Sequence, residues 1–95
     1  MIAAFLTPGV LTRDDLFSTL SEQLKLGQST YSGWDAFHDT LFGYVDAARD
    51  EVRIFNASSL NQSDEKILLE ILQCINCDLS SERILLIDDK SRIVD

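Results

Sequence analysis

Asp35 and Asp39 stand four residues apart in the segment WDAFHDTLFGY (34–44), with His38, the only histidine, between them. Two carboxylates and an imidazole at this spacing could act as acid and base, hold a metal, or receive a cation. Acid–base work needs a cleft and a reacting partner. The sequence has no G-x-S-x-G, no Gly-rich phosphate loop and no nucleophile set beside a base. The His-Asp pair suggests a metal-dependent phosphohydrolase, but such sites take several His and Asp ligands and one histidine cannot supply them. No catalysis, metal or cofactor is therefore expected. What remains is binding. No Lys or Arg occurs between Lys25 and Arg49, so neither carboxylate has a cation nearby along the chain.

At about 100° per residue, a helix over Trp34 to Val45 puts Trp34, Phe37, Leu41, Tyr44 and Val45 on one side, facing a core. Asp35, Asp39, Phe42 and Gly43 fall on the other side, with His38 at the border. Two aspartates at i, i+4 on an open face repel by about 0.2–0.5 kcal/mol. Asp35, in the first turn, recovers part of this from the helix dipole, and Asp39 does not. A solvated acidic face is the plain alternative. Against it, Phe42 shares the face, and Tyr31 lies in the loop just before it. Carboxylates flanked by aromatic surface fit a positively charged pocket, where Arg and Lys donate to the carboxylate oxygens.

Cys74 and Cys77 form a C-x-x-C. That spacing serves redox or zinc chemistry in other contexts. Here it lies inside the apolar helical pattern ILLEILQCINC, so two reduced thiols near a helix end are expected, as in the cytosol.

The elements that must position these residues follow from periodicity. IAAFL reads as a buried first strand. LTRDDLFSTLSEQLKLG reads as a helix with Thr12 as N-cap, Asp15 completing a capping box and Gly27 as the stop. Leu16, Phe17, Leu20 and Leu24 form its core face. QSTYSG (28–33) is a polar loop. EVRIFN is a strand in which Val52 and Ile54 alternate with Arg53. SLNQ turns the chain into a third helix, with Ser63 expected as its cap and Ile67, Leu68, Ile71, Leu72 and Ile75 as its stripe. RILLID is a continuous apolar strand, and DKSRIVD is either a short edge strand or loose. This order predicts one α/β domain over residues 1–95: a small three-stranded parallel sheet packed with three to four helices.

Bulk properties agree. Ninety-five residues, 45% hydrophobic and 25% charged, make one folded domain able to bury about 65% of its unfolded surface. Sixteen acidic against eight basic residues give a net charge of -8. Such a surface repels nucleic acid and anionic membrane and attracts a basic protein. The start MIAAFLTPG has no basic region and too short an apolar run for a signal peptide, so a cytoplasmic protein is expected.

The stretch LTRDDLFSTLSEQLKL and, after the loop, YSGWDAFHDTLFGY resembles the barstar family of ribonuclease inhibitors, most specifically in WDA followed by Asp39 and Leu41. The resemblance runs over Thr12 to Val45, and the later strand, helix and RILLID agree in layout. It implies a barstar-like fold and an inhibitor of a basic bacterial ribonuclease, an immunity protein or antitoxin that is monomeric when free. It implies that Asp39 enters the nuclease active site, with Asp35 beside it. His38 stands where the family often has Trp, and Phe42, Gly43 and Tyr44 form the helix end at the partner. Tyr31 either meets the partner or packs on its own helix. His38 is an interface ring, a pH-responsive group or a plain surface histidine. Gly33 stands where the family has a capping Asn, which implies a partner with a differently shaped rim. A regulatory module of the same fold with another basic target is the alternative.

Overall fold

The computed structural model describes residues 1–7, 12–28 and 30–94. Strand β1 spans Ile2–Phe5, helix α1 Arg13–Leu24, helix α2 Trp34–Ala48, strand β2 Val52–Phe55, helix α3 Gln62–Asp78 and strand β3 Ile84–Leu86. A single 3-10 turn, Ala57–Ser59, separates β2 from α3. The sheet is parallel throughout in the order β1-β2-β3, with Ile2, Val52 and Ile84 in one row and Ala4, Ile54 and Leu86 in another. The predicted α/β fold with a three-stranded parallel sheet is therefore the observed one, with three α-helices among the described residues.

Alternation explains β2: Val52 and Ile54 are buried, while Arg53 and Phe55 are partly exposed on the opposite face. All three residues of β3 are buried, as its unbroken apolar run requires. Ala4, Val52, Ile54, Ile84 and Leu86 of the sheet join Leu16, Leu20, Phe37, Leu41, Leu68 and Leu72 of the helices in one core. The outer edge of β1 is not left open. The carboxamide of Gln23, on α1, accepts from the Phe5 amide and donates to the Phe5 carbonyl, filling the place of a neighbouring strand.

Helix α1 begins as its sequence predicts. The Thr12 hydroxyl accepts from the Asp15 amide at 3.1 Å, and the Asp15 carboxylate accepts from the Thr12 amide at 3.2 Å. Its end differs from expectation. Lys25, at φ 59°, takes the left-handed cap, and Gly27 at φ 94° turns the chain only afterwards. Helix α2 runs three residues beyond the predicted Val45, because Asp46, Ala47 and Ala48 carry no breaker and alanine is the best helix former. Helix α3 is capped by Asn61 and not by Ser63, which lies in its first turn. The Asn61 side chain accepts from the Asp64 amide at 2.8 Å and donates to the Asp64 carboxylate at 2.9 Å.

Asn76 and Arg83 also tie the layers together. The Asn76 oxygen accepts from the amides of Arg83 and Ile84 at 2.8 and 2.9 Å, and its nitrogen donates to the Ile84 carbonyl at 2.9 Å. The Arg83 guanidinium donates to the Val45 carbonyl at 2.9 Å, joining the start of β3 to the last turns of α2. The tail is neither a full strand nor loose. Ile93 bridges Ile87 in antiparallel fashion across a turn organised by Asp88. The Asp88 carboxylate accepts from the amides of Arg92 and Lys90, each at 2.9 Å. The Arg92 amide first, and the Lys90 amide after it, hold that carboxyl below its ordinary value of 3.8. A depressed folded-state pKa contributes stability above the ordinary value that is lost as pH falls through the lowered one. Asp88→Asn is therefore expected to flatten part of the acid limb of the stability–pH curve, read by denaturant melts below pH 4. An unchanged acid limb would remove Asp88 from the fold's acid sensitivity.

Candidate functional site

The outward side of α2 carries the predicted acidic face. Asp35, Asp39 and Gly43 are exposed, and His38 lies at the edge, partly buried. Asp46, seven residues past Asp39 and almost in line with it, is exposed as well. No ion pair among the described residues reaches Asp35, Asp39 or Asp46. Arg49 and Arg53, which follow α2 closely in sequence, do not supply one among the described residues. Arg53 is held by Glu51 at 3.0 Å, and Arg49 is in no ion pair among the described residues. The face therefore presents a row of carboxylates to solvent on a rigid support.

That support is aromatic. Phe37 is fully buried and stacks on Phe17 of α1 at 4.5 Å between ring centroids. Trp34 and Tyr31 meet this pair edge-on, at 5.1 and 5.4 Å from Phe17. Phe17, Tyr31, Trp34 and Phe37 thus fix the first turns of α2 to α1, and Asp35, His38 and Asp39 are aimed by the same packing. Trp34 and Tyr44 were both expected to point inward. Each packs against the core yet stays partly exposed. Phe42 departs further from expectation: it is half-buried and packs on the core from the border of the outer face.

In the free chain Tyr31 packs against α1 and α2. Its hydroxyl lies 2.9 Å from the buried Ser21 hydroxyl and donates to the Gln28 carbonyl at 3.3 Å. The residue remains partly exposed. Gly33 precedes α2 in an extended conformation and gives it no side-chain cap. Its carbonyl accepts the first helical bond, from Phe37.

A groove that periodicity did not reveal runs beside the acidic face. Trp34, Asp35 and His38 form one wall, and Ile67, Glu70 and Cys74 of α3 form the other. The signal was present in the spacing, since Glu70 and Cys74 are one turn apart on the polar border of the α3 stripe. Reading α3 only as a core helix hid it. Cys74 and Cys77 are both free and exposed. Among the described residues no three His, Cys, Asp or Glu side chains are placed to hold a metal ion, and no helix is long and apolar enough to cross a membrane. Chemically, the arrangement is suited to receiving cationic side chains: oxygen acceptors stand on a fixed helix, with partly exposed Trp34 and Phe42 flanking them. Comparisons with protein-family models, curated proteins and solved structures give no match to this chain.

Proposed function

We propose that this protein is a non-catalytic inhibitor of a basic ribonuclease, acting as an immunity protein or antitoxin in the cytoplasm. The carrying observation is the α2 face, on which Asp35 and Asp39 stand exposed one turn apart, in no ion pair among the described residues. A fold has no use for that repulsion. A nuclease that grips phosphate has the complementary charge, and Asp39 would occupy its phosphate site, with Asp35 and His38 at the rim. Gly43 and Tyr44, with the half-buried Phe42, would form the far end of the contact. The resemblance of LTRDDLFSTLSEQLKL and WDAFHDTL to the barstar family supports the same reading, as does a net charge of -8. The free protein would act as a monomer, without nucleic acid, membrane or cofactor.

The second reading, a non-inhibitory module for another basic protein, is favoured by one observation. The Tyr31 hydroxyl is engaged with Ser21 of α1 in the free chain, which leaves its partly exposed ring to offer a partner. One experiment separates the two: RNA hydrolysis by a panel of small cationic ribonucleases, with and without equimolar protein. Inhibition by complex formation supports the first reading, and binding without inhibition supports the second.

Association is expected to be fast and strongly salt-dependent, because an acidic face must meet a basic one. On-rates measured at low and at physiological ionic strength should fall by about tenfold or more. A flat profile would remove electrostatic steering from the mechanism.

A further inference from the structure

Only one side chain on the acidic face can turn positive near neutral pH. The chain holds a single histidine, His38, and has no Lys or Arg between Lys25 and Arg49. Helix α2 sets His38, partly buried, one turn after the exposed Asp35 and next to the exposed Asp39. It shares one groove wall with Trp34 and Asp35, and Glu70 and Cys74 stand on the opposite wall, on α3. Lys66, one turn before Glu70, does not line that groove. The titratable groups around the imidazole, on both helices that flank it, are therefore three carboxylates and a thiol. We infer that His38 is a proton-operated switch of the acidic face, lowering its affinity for a cationic partner as pH falls from about 8 to about 5.5.

The switch follows from which groups change charge in that interval. Imidazole is the one side chain whose ordinary charge change falls between about pH 5 and 8. Carboxylic acids have lost their protons below it, and a thiol in ordinary surroundings keeps its own to about pH 8.5. The face therefore changes by one charge, and His38 carries it. With the ring neutral, Asp35 and Asp39 present two negative charges to an incoming cation. With the ring protonated, an imidazolium stands within a helical turn of both, cancels half of that charge and repels the partner's Lys and Arg. Coupling is reciprocal: a cation binds the neutral-ring form more tightly, so complex formation expels the proton and added protons expel the partner. Affinity is thus full at the alkaline end of the interval and falls toward the acid end. The identity of the cation rests on the proposed inhibitor function; the charge change on α2 does not.

Trp34, the only tryptophan, lies one turn before His38 on the same wall and reports on it, because an imidazolium quenches indole emission more than a neutral ring does. The test uses the full protein with His38→Gln, which holds the position neutral, and His38→Lys, which holds it positive. Both replacements are good helix formers. A lysine hexamer serves as the first probe, since its ammonium groups stay charged from pH 5.5 to 8, and binding is read at the Trp34 indole at low ionic strength. Wild-type affinity is expected to fall by about three- to tenfold between pH 8 and 5.5, and His38→Gln should show a flat profile. At pH 8, His38→Lys should already bind more weakly than the wild type, by a similar factor. In the absence of probe, Trp34 emission should titrate in the wild type and not in His38→Gln. Equal pH profiles for the wild type and His38→Gln, full affinity in His38→Lys, or a hexamer that leaves Trp34 silent would each overturn the proposal. The second probe is the panel of cationic ribonucleases. Inhibition with the same pH profile in the wild type and His38→Gln overturns the switch and leaves the inhibitor reading standing. A His38-dependent response to the hexamer, with no ribonuclease bound at any pH, sustains the switch and counts against the inhibitor reading alone.

Discussion

Asp39→Ala is expected to weaken the complex with a basic ribonuclease by about 2–5 kcal/mol or more, the usual cost of removing one partner from a buried, hydrogen-bonded charge pair. Much of that loss would come from the nuclease, whose cations would be left dehydrated and unpaired. The free protein should behave differently. Asp39 is exposed and in no ion pair among the described residues, so its removal breaks no bond of the fold. The substitution also relieves the i, i+4 repulsion with Asp35 and puts a better helix former mid-helix. Free-state stability should be unchanged or raised by a few tenths of a kcal/mol. Asp35→Ala should cost less in binding, and Asp46→Ala should act mainly through the on-rate. Thermal melts of the free variants beside titrations against the nuclease decide the matter. A large fall in melting temperature with unchanged binding would make Asp39 a residue of the fold and overturn its role as the inserted group.

The same contrast explains which features were legible in the sequence. Strand β2 and the capping box at Thr12 and Asp15 depend on local pattern, and both form where the residues predict. The sheet follows because short apolar runs separated by helical patterns leave parallel pairing as the compact solution. Helix ends were less legible, since competing caps differ by little. Lys25 accepts a left-handed backbone two residues before a glycine that could have taken it. Asn61 outcompetes Ser63 because its position three residues before Asp64 allows bonds in both directions.

At the site, exposure of Asp35 and Asp39 could be read from a wheel, because it depends only on helix phase. The conformation of Tyr31 could not, since it is decided by a hydroxyl partner, Ser21, on another helix. Nor could the partial burial of Phe42, which depends on how the neighbouring core meets that border of the helix. The groove beside Asp35 is a tertiary feature altogether. It exists only because α3 is laid against α2, and Glu70 and Cys74 then join residues more than thirty positions earlier in the chain. Arg83 is a similar case: from the start of β3 it donates to the Val45 carbonyl in the last turn of α2.

Phe37→Ala carries the largest expected effect on the free protein and tests whether this core aims the acidic face. Phe37 is fully buried, stacked on Phe17 and met edge-on by Tyr31 at 5.2 Å and by Trp34 at 6.3 Å. Truncating such a ring leaves a cavity that the surrounding backbone only partly fills, at a cost of about 3–5 kcal/mol. Against a total stability of roughly 5–14 kcal/mol for a domain this size, that is a large fraction. At about 4 °C or more per kcal/mol, the melting temperature should fall by at least about 12 °C. Tyr31 and Trp34 would lose their shared partner, so Trp34 emission in the folded state should shift as well. Measured well below the lowered melting point, binding should suffer less than in Asp39→Ala, because the carboxylate is still present on a helix held by Leu41 and Val45. A Phe37→Ala protein as stable as the wild type would mean that the aromatic cluster is not packed as described. Binding lost to the same extent as in Asp39→Ala would instead show that precise aiming by the cluster, and not charge alone, governs recognition.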